Sequence, residues 1–385
     1  MNAALRLASA LAVLTSTGFA AGEPLPKKDE NLSFRNEIKT AIDKGLVWLK
    51  SQQKEDGSWS TTDHPALTAL PLLAFQREPT GRYAGESFVK KGYDFLRGNA
   101  KPDGGIYNAG LSNYNTSVAL MALLARSEPQ DEPLIEAARK FVAGQQATGM
   151  AKPELDGGFG YGPTGTSPKR QHPDLDNTLI ALEALRTYAN ARPNKELAAG
   201  KDLNWKAAID FISRCQNLPE TNQEPWASGD PANKGGFVYY PGFSNAGEQD
   251  LPDGKKALRS YGTITYAGLL SFIYAELPKD DQRLTATLDW LKKNYTLEEN
   301  PGMGRAGLYY YLHLATKGLA SARIENFATA DGKKIDWPRE IATKLMNLQN
   351  ADGSWVNDTA RWMEKDPALV TSYGVMSLEI IYQQL

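Results

Sequence analysis

The stretch Gln53-Lys-Glu-Asp-Gly-Ser-Trp59 decides the fold, because it returns near the other end of the chain as Gln349-Asn-Ala-Asp-Gly-Ser-Trp355. Each copy follows a segment whose apolar residues have helical spacing, and each precedes a second apolar segment that carries a threonine, Thr68 or Thr371. Repetition of a helix, a glycine turn and a helix indicates a protein built from similar units.

Four weaker copies lie between these two and keep the glycines and, in three of them, the threonine. They are Asp103-Gly-Gly with Thr116, Asp156-Gly-Gly with Thr178, Gly235-Gly with Thr265, and Gly302-Met-Gly304 with Tyr309 in the threonine position. Glycine accepts the positive φ of a tight helix end, and a threonine hydroxyl can accept from a free N–H of a first helical turn. We therefore predict that the glycines end the first helix of each unit and that the threonines cap the second.

The second helix of each unit is the more apolar one, as in Leu179-Ile-Ala-Leu-Glu-Ala-Leu185, so it belongs inside. Small residues three positions after the threonine, such as Gly268 and Gly374, are expected to let neighbouring inner helices approach closely. Six such units predict an all-α fold, an (α/α)6 toroid with an inner and an outer ring of helices. An open solenoid of six units is the alternative, although neither end carries an obvious polar capping unit.

In a closed ring, all six inner helices begin at one end, which we call the rim, and the five threonines lie there too. The long insertions Tyr161–Pro173 and Pro219–Leu258 also fall at the rim. Helix N-termini present unpaired N–H groups and partial positive charge, and long loops commonly carry binding sites. The rim is therefore where a ligand site is expected.

The first residues differ from the rest, because a single arginine precedes an apolar stretch and small residues follow it. This layout is typical of a signal peptide, and a merely apolar N-terminal helix is the alternative. We expect the mature protein to be periplasmic or secreted. The predicted division of the chain is a signal peptide over 1–22, an N-terminal extension over 23–37 and the toroid over 38–385.

Charge and cysteine content exclude several classes of function. With 43 basic and 45 acidic residues the chain has a net charge of −2, so no nucleic acid partner is expected. Cys215 is the only cysteine, which rules out an intramolecular disulfide and cysteine-based zinc clusters, and its expected role is packing. We expect no cofactor.

The Gln-x-x-Asp-Gly-Ser-Trp pattern of the two strong copies resembles the QW repeat of squalene–hopene and oxidosqualene cyclases, and looser forms occur in protein prenyltransferase β subunits. The resemblance to this terpenoid cyclase and prenyltransferase superfamily covers the chain from about residue 38 onward. It implies the toroid fold, but it bears less on function, because one fold hosts many activities.

Two activities of the superfamily lack their residues here. Protein prenyltransferases hold zinc with an Asp-x-Cys pair and a distant histidine, and Arg259, Tyr261 and Tyr311 stand in those places. Ionisation-initiated terpene synthases hold magnesium with Asp-Asp-x-x-Asp, whereas Asp280-Asp-Gln-Arg-Leu284 lacks the last aspartate. We therefore predict no metal site of either kind.

Class II cyclases protonate an alkene or epoxide with the middle aspartate of Asp-x-Asp-Asp-Thr, which Asp174-Leu-Asp-Asn-Thr178 resembles closely. The resemblance implies that Asp176 is the proton donor and Asp174 the upstream acid, while Asn177 departs from the hopene-cyclase pattern. Such a donor must be kept neutral by burial and a neighbouring acid, and His172 is a candidate to tune the pair. The alternative is that Asp176 and Asn177 simply cap the third inner helix.

Aromatic residues are plentiful at the predicted rim. The candidate ligand-binding residues among them are Tyr114, Tyr161, Tyr261, Tyr309, Tyr311 and Tyr373, with His172 beside them. Aromatic faces could stabilise a carbocation or pack a polyprenyl chain, they could stack on sugars, and aromatics at helical spacing are also ordinary core.

The first functional hypothesis is an exported protein that binds an apolar polyprenyl ligand and cyclises it in the class II manner. The alternatives are a non-catalytic binding ring and a carbohydrate-active toroid with paired carboxylates such as Asp156 and Asp174. A buried apolar cavity around Asp176 favours the first, a filled ring centre the second and an open polar cleft the third. Triterpene cyclases place their cavity between two helical barrels, so the resemblance leaves room for a second barrel or a homodimer, and for peripheral membrane contact.

Overall fold

The computed structural model describes residues 31–162, 172–193, 203–324 and 327–385. Within these ranges, twelve α-helices alternate along the chain between an outer and an inner position. The outer helices are α1 (Leu32–Ser51), α3 (Ser87–Gly98), α5 (Glu132–Ala143), α7 (Trp205–Arg214), α9 (Gln282–Lys293) and α11 (Trp337–Leu348). The inner helices are α2 (Ala66–Arg77), α4 (Ser112–Arg126), α6 (Leu175–Ala191), α8 (Gly262–Tyr274), α10 (Leu308–Ser321) and α12 (Pro367–Gln384).

The inner helices form a closed ring. Each packs against the next in the order α2, α4, α6, α8, α10 and α12, and α12 packs against α2. The first outer helix, α1, also packs against the last inner helix, α12. The predicted all-α (α/α)6 toroid is confirmed, and the open-solenoid alternative is wrong.

Burial separates the two rings. The outer helix α1 buries one stripe of residues three or four positions apart, among them Ile38, Ile42 and Leu49. The inner helix α8 buries every residue from Gly262 to Phe272, because it contacts the outer ring on one side and the ring interior on the other. The greater apolar content of the second helix in each unit therefore reflects its inner position.

The threonines of the repeat do not cap their helices, so that prediction is wrong. The Thr265 hydroxyl accepts the backbone N–H of Phe237 at 3.1 Å and donates to the carbonyl of Tyr261 at 2.8 Å. Phe237 directly follows the glycines of its turn, so the hydroxyl ties the turn to the inner helix. The same acceptor role recurs in Thr68 toward Trp59, Thr116 toward Ile106, Thr178 toward Phe159 and Thr371 toward Trp355, at 2.9–3.1 Å. All five lie near the start of an inner helix, at one end of the ring as predicted.

The glycine turns of five units also dock on the outer helix of the following unit, whereas the turn of the fifth unit, at Gly302, packs on Ser260 and Tyr261. In the sixth unit, the Gln349 amide donates to the carbonyls of Gly353 and, in α1, Ala41, both at 2.9 Å. Gly353 has a φ of +95°, and a Cβ there would lie 2.5 Å from the carbonyl oxygen of Lys44 in α1. Equivalent glutamines dock the first, third and fourth turns: Gln53 to Phe88, Gln146 to Asn204 and Gln216 to Arg283. The ring therefore closes with the bonds that join its other units.

The small residues of the inner helices make room for the aromatic ring of the turn. A Cβ at Gly374 would lie 3.0 Å from the indole of Trp355, and one at Gly268 would lie 2.6 Å from the ring of Phe237. The expectation that these glycines serve contact between inner helices is therefore wrong. The indole N–H of Trp355 donates to the carbonyl of Leu345 at 2.8 Å, which satisfies an acceptor at the end of α11.

Two short antiparallel hairpins were not predicted. The strands β1 (Glu248–Asp250) and β2 (Lys256–Leu258) lie in the insertion before α8, and β3 (Phe327–Ala328) and β4 (Lys334–Ile335) lie between α10 and α11. Both are additions to the ring and leave its helical order unchanged.

The two ends of the described chain are adjacent, since the Asn31 amide donates to the carbonyl of Leu385 at 3.5 Å. Helix α1 begins at Leu32, six residues before the predicted start of the toroid at 38. The predicted signal peptide, the first part of the extension and most of the insertion that starts at Tyr161 lie outside the described residues. In the part of the chain that is described, every helix is too short or too polar to cross a bilayer.

Candidate functional site

The start of α6 carries the acidic motif, and Asp174 is its capping residue. Asp174 Oδ1 accepts the backbone N–H of Asn177 at 2.8 Å, and Oδ2 accepts the side-chain amide of Asn177 at 2.8 Å. Asp174 is fully buried. The interpretation of Asp176 and Asn177 as caps is therefore wrong: the cap is Asp174, and Asn177 donates to it.

Asp176, the second residue of α6, directs its carboxyl into the ring. Its Oδ1 is enclosed and has no hydrogen-bond partner, while Tyr310 on α10 hydrogen-bonds to the carboxyl. Burial raises the pKa of Tyr114 on α4 and of Tyr261, which precedes α8, and the charge of Asp176 raises both further. Groups from three other inner helices thus surround this carboxyl, which places it in the interior at the rim.

Burial keeps both acids protonated to an unusually high pH. It raises the pKa of Asp176 to about 7, against the hydrogen bond from Tyr310, which favours the ionised form. Burial and the nearby Asp176 carboxyl raise the pKa of Asp174 to about 8, although Asn177 donates two hydrogen bonds to it. Asp174 is enclosed and engaged by Asn177, whereas Asp176 keeps some accessible surface. Asp176 is therefore the member of the pair that can deliver a proton.

Two tyrosine pairs accompany the acids. The hydroxyls of Tyr161 and Tyr239 lie 3.2 Å apart, and Tyr239 also hydrogen-bonds to Asp174. The hydroxyls of Tyr114 and Tyr373 lie 3.4 Å apart. The structure therefore brings together Asp174, Asp176, Asn177, Tyr114, Tyr161, Tyr261 and Tyr373 of the predicted site residues.

Three predicted site residues have other surroundings. Tyr311 donates its hydroxyl to the carbonyl of Thr296 at 2.8 Å, and Tyr309 lies beside Glu364, so both face away from Asp176. His172 packs its ring on Tyr240, with 4.3 Å between the ring centroids. Tyr310, which lies between the predicted residues Tyr309 and Tyr311, is the tyrosine that faces Asp176.

The sequence did contain a signal for Tyr310. Tyr310, His313, Leu314 and Lys317 all line the ring interior, and they lie at positions i, i+3, i+4 and i+7 of one helix face. Tyr239 had no such signal, because it lies in the loop before α8 and reaches Asp174 only through the closed fold. 

A narrow cavity follows the ring axis from the tyrosines toward the other end. The space between its walls totals about 430 Å³, including the space at its mouth. The part of that space wide enough to admit water would hold only about two water molecules. Tyr114, Tyr310 and Tyr373 line it near the rim, and Arg77, Glu183 and Lys317 line its far end. Between them the walls are mostly apolar, with Leu70, Met121, Leu179 and Met376 among the lining residues. An elongated ligand would have to displace such side chains, and methionines adapt readily.

The positions compared with a prenyltransferase zinc site hold no metal ligands. Tyr261 and Tyr311 are buried, and the nearby His313 bonds through Nδ1 to the Ser377 hydroxyl at 3.0 Å. Across the described ranges, no three histidine, cysteine, aspartate or glutamate side chains group as a metal site requires.

Comparison with curated proteins points to triterpene cyclases. Part of the chain is 30% identical over 132 residues to lanosterol synthase of Aspergillus fumigatus, and part is 27% identical over 170 residues to squalene–hopene cyclase of Alicyclobacillus acidocaldarius. These matches cover 30% and 41% of this chain but 17% and 25% of those two proteins. No protein-family model matches the sequence.

Solved structures match over almost the whole chain. The type II terpene cyclase MstE from Scytonema has a TM-score of 0.56 at 12% identity, covering 91% of this chain and 99% of its own. The chain therefore has the α/α toroid fold and is similar to terpenoid cyclases. A GH76 alpha-mannanase of Bacteroides thetaiotaomicron also matches, with a TM-score of 0.58 at 11% identity over 92% of this chain and 99% of its own. The fold is thus shared by terpene and sugar chemistry, so the site must decide between them.

Proposed function

We propose that this terpenoid cyclase-like chain binds an elongated polyprenyl ligand inside the ring and cyclises it by proton transfer from Asp176. One observation carries the proposal: a carboxyl with a pKa raised to about 7 by burial lies in the ring interior with Oδ1 unpartnered. An alkene is a poor base, so its protonation requires a neutral acid in a water-poor site. The matches to triterpene cyclases, and a Scytonema cyclase solved with geranylgeranyl dihydroxybenzoate as its substrate, support this class of ligand.

The proposed step is simple in its bonds. The π electrons of a terminal alkene take the Asp176 proton, a C–H bond forms, and the neighbouring carbon becomes a cation that the next alkene attacks to close a ring. The hydrogen bond from Tyr310 stabilises the carboxylate left on Asp176. The faces of Tyr114 and Tyr373 lie beside the path of the cation and attract positive charge. The final cation is discharged by loss of a proton to water or by addition of water.

The test compares Asp176→Asn with wild-type protein. Purified protein is incubated with farnesyl, geranylgeranyl and squalene-type chains, and the products are identified by gas chromatography and mass spectrometry. We expect cyclised product from wild type and none from Asp176→Asn, with unfolding stability unchanged or raised, since Asn cannot donate the proton and a buried carboxyl is costly. Asp366→Asn, at the N-cap of α12, is the matched control and should keep full turnover. Turnover by Asp176→Asn would rule out the acid role.

A non-catalytic binding ring is the second candidate. The observation that favours it is the narrowness of the cavity, whose far end is crossed by the ion pair of Glu183 and Lys317. Mass spectrometry of lipids extracted from purified protein distinguishes the two candidates. Recovery of an uncyclised chain, with no product in the turnover assay, would favour this one.

The GH76 neighbours fit the carbohydrate alternative at the level of fold, but the two carboxylates considered for it are not free for such chemistry. Asp156 accepts the backbone N–H of Met150 at 2.8 Å within its own turn, and Asp174 is the buried cap of α6. Paired carboxylates in an open cleft would be needed to cleave a glycosidic bond.

We also propose that the protein is exported, on the basis of the signal-peptide layout over residues 1–22. Mass determination of the mature N-terminus, together with cell fractionation, checks this. A second barrel or a homodimer, and peripheral contact with a membrane, remain parts of the proposal that native mass spectrometry and vesicle sedimentation can test.

A further inference from the structure

The far end of the cavity is charged, although its middle is apolar. Lys317 on α10 contacts both carboxylate oxygens of Glu183 on α6 at 2.6 Å, and the two side chains are only 11% and 7% exposed. Since α6 and α10 are not neighbours in the ring, this pair spans the interior beside α8. The pair is neutral as a whole, so it closes the cavity without adding net charge.

Arg77, at the end of α2, adds a positive charge to the lining of the far end. Its Nη1 lies 3.9 Å from the sulfur of Met376, and no carboxylate within the described ranges forms an ion pair with it. The nearby Glu379 has both carboxyl oxygens buried without a hydrogen-bond partner, and burial raises its pKa well above the ordinary range although the charge of Arg77 acts to lower it. Glu78, the other acid nearby, is held by Arg82 and Thr80.

His313 adds no further positive charge, because burial, Lys317 and Arg77 lower the pKa of the imidazole. The lining of the far end therefore carries one net positive charge, on a guanidinium that borders an apolar cavity. A half-buried cation beside an apolar cavity attracts an anion, and a guanidinium binds carboxylate and phosphate with two parallel hydrogen bonds.

We propose that this far end is an anion subsite, and that the ligand of the ring is an amphiphilic prenyl chain with an acidic end group bound by Arg77. The inference rests on the proposed function, because it places the same ligand. Asp176 and Glu183 are seven residues apart on α6, which corresponds to about 10 Å along the helix axis. An apolar segment of that length would connect an end group at Arg77 with an alkene beside Asp176. The charge, and not only the apolar walls, would then select the ligand and fix its direction.

Binding measurements test the subsite without requiring turnover. Farnesoic acid, farnesyl monophosphate and farnesol are titrated into full-length protein, and affinity is followed through tyrosine and tryptophan fluorescence. We expect the acid, the phosphate or both to bind at least about tenfold more tightly than the alcohol in wild type and in Asp176→Asn. In Arg77→Gln the acids should lose this advantage while the alcohol binds as before, and Arg77→Lys should restore part of it.

Arg126→Gln is the matched control, because Arg126 ends α4 as Arg77 ends α2 but packs over Tyr93 and pairs with Glu128. It should keep the preference for acids, and circular dichroism melts verify that each variant is folded. Equal affinity of acids and alcohol in wild type, or an unchanged preference in folded Arg77→Gln, would overturn the subsite and leave the proposed function standing. If none of the three prenyl ligands bound, the proposed function would be wrong, and the proposed subsite with it. The relative affinity of the two acids identifies the end group as carboxylate or phosphate.

Discussion

Two aspartates two positions apart have different roles because of the backbone that carries them. Asp174 precedes α6, where free N–H groups are available, so its carboxyl accepts from Asn177 and caps the helix. Asp176 lies within the first turn and finds no free N–H, so its carboxyl extends into the ring toward Tyr310. The motif alone names both residues, but it does not show which one caps and which one faces the ligand.

The raised pKa values at this site predict how stability depends on pH. Above the unfolded-state pKa of about 3.8 the unfolded carboxyls ionise, while Asp176 holds its proton up to about 7 when folded. Rising pH therefore stabilises the unfolded state relative to the folded state, and the free energy of unfolding falls between about pH 4 and 7. The Asn side chain of Asp176→Asn cannot titrate. Between pH 5 and 8 we therefore expect the free energy of unfolding of this variant to fall by about 2–3 kcal/mol less than that of wild type.

Denaturant unfolding of wild type and Asp176→Asn at pH 5 and 8 measures this difference. Asp253→Asn is the control, because Asp253 is fully exposed and its pKa is lowered by the backbone N–H of Lys255. The free energy of unfolding of the control should change between pH 5 and 8 by as much as that of wild type. If that of Asp176→Asn did the same, Asp176 would not have a raised pKa.

At the scale of the element, the threonine that ties each glycine turn to its inner helix should contribute to stability in every unit that has one. In Thr265→Val, the buried N–H of Phe237 loses its acceptor, while the volume of the side chain is almost unchanged. We expect the free energy of unfolding to fall by about 1–3 kcal/mol, the cost of an unsatisfied buried donor. Thr285→Val is the control, because that threonine is exposed on α9 and accepts from no turn. Urea midpoints compare the two, and similar losses would mean that the tie contributes little.

The elements of the ring could be predicted because each unit repeats the same local chemistry. The glycine that ends an outer helix and the aromatic that follows it are visible in the sequence, so the number and order of helices followed from them. The rotational phase of α10, which decides which of its side chains face the ring interior, was harder to predict. Consecutive helical residues differ by about 100° in direction, so choosing Tyr309 and Tyr311 excluded the tyrosine that faces Asp176. The partners of Asp176 come from units distant in sequence, and only closure of the ring brings them together.

At the scale of the whole molecule, the charge inside the ring was as hard to predict as the rotational phase of α10. The net charge of −2 describes a surface of mixed sign and says nothing of the interior. Inside the ring, Glu183 pairs with Lys317 while Arg77 forms no ion pair within the described ranges, and that difference depends on which side chains the closed ring brings together. Composition gave a reason to expect no nucleic acid partner, but the proposed preference for an acidic end group required the three-dimensional arrangement.

The closed ring also predicts tolerance to circular permutation. Asn31 contacts Leu385, and the sixth turn docks on α1 through Gln349 as the first turn docks on α3 through Gln53. If the six joints are equivalent, the position at which the chain is cut matters only through the local contacts that the cut destroys. A short glycine and serine linker would join residue 385 to residue 31, and the chain would be opened after Gly254, in the exposed turn between β1 and β2.

We expect this permutant to unfold in one cooperative transition, with a melting temperature within a few degrees of the unpermuted protein. A second permutant opened after Gly353 should melt well below the first, because this cut lies in the turn that Gln349 and Trp355 attach to α1, α11 and α12. Circular dichroism melts compare the two with the linear chain. Equal melting of the two permutants would mean that the glycine turns do not hold the ring closed. Loss of folding after the Gly254 cut alone would mean that the joint between the sixth and first units is weaker than the others.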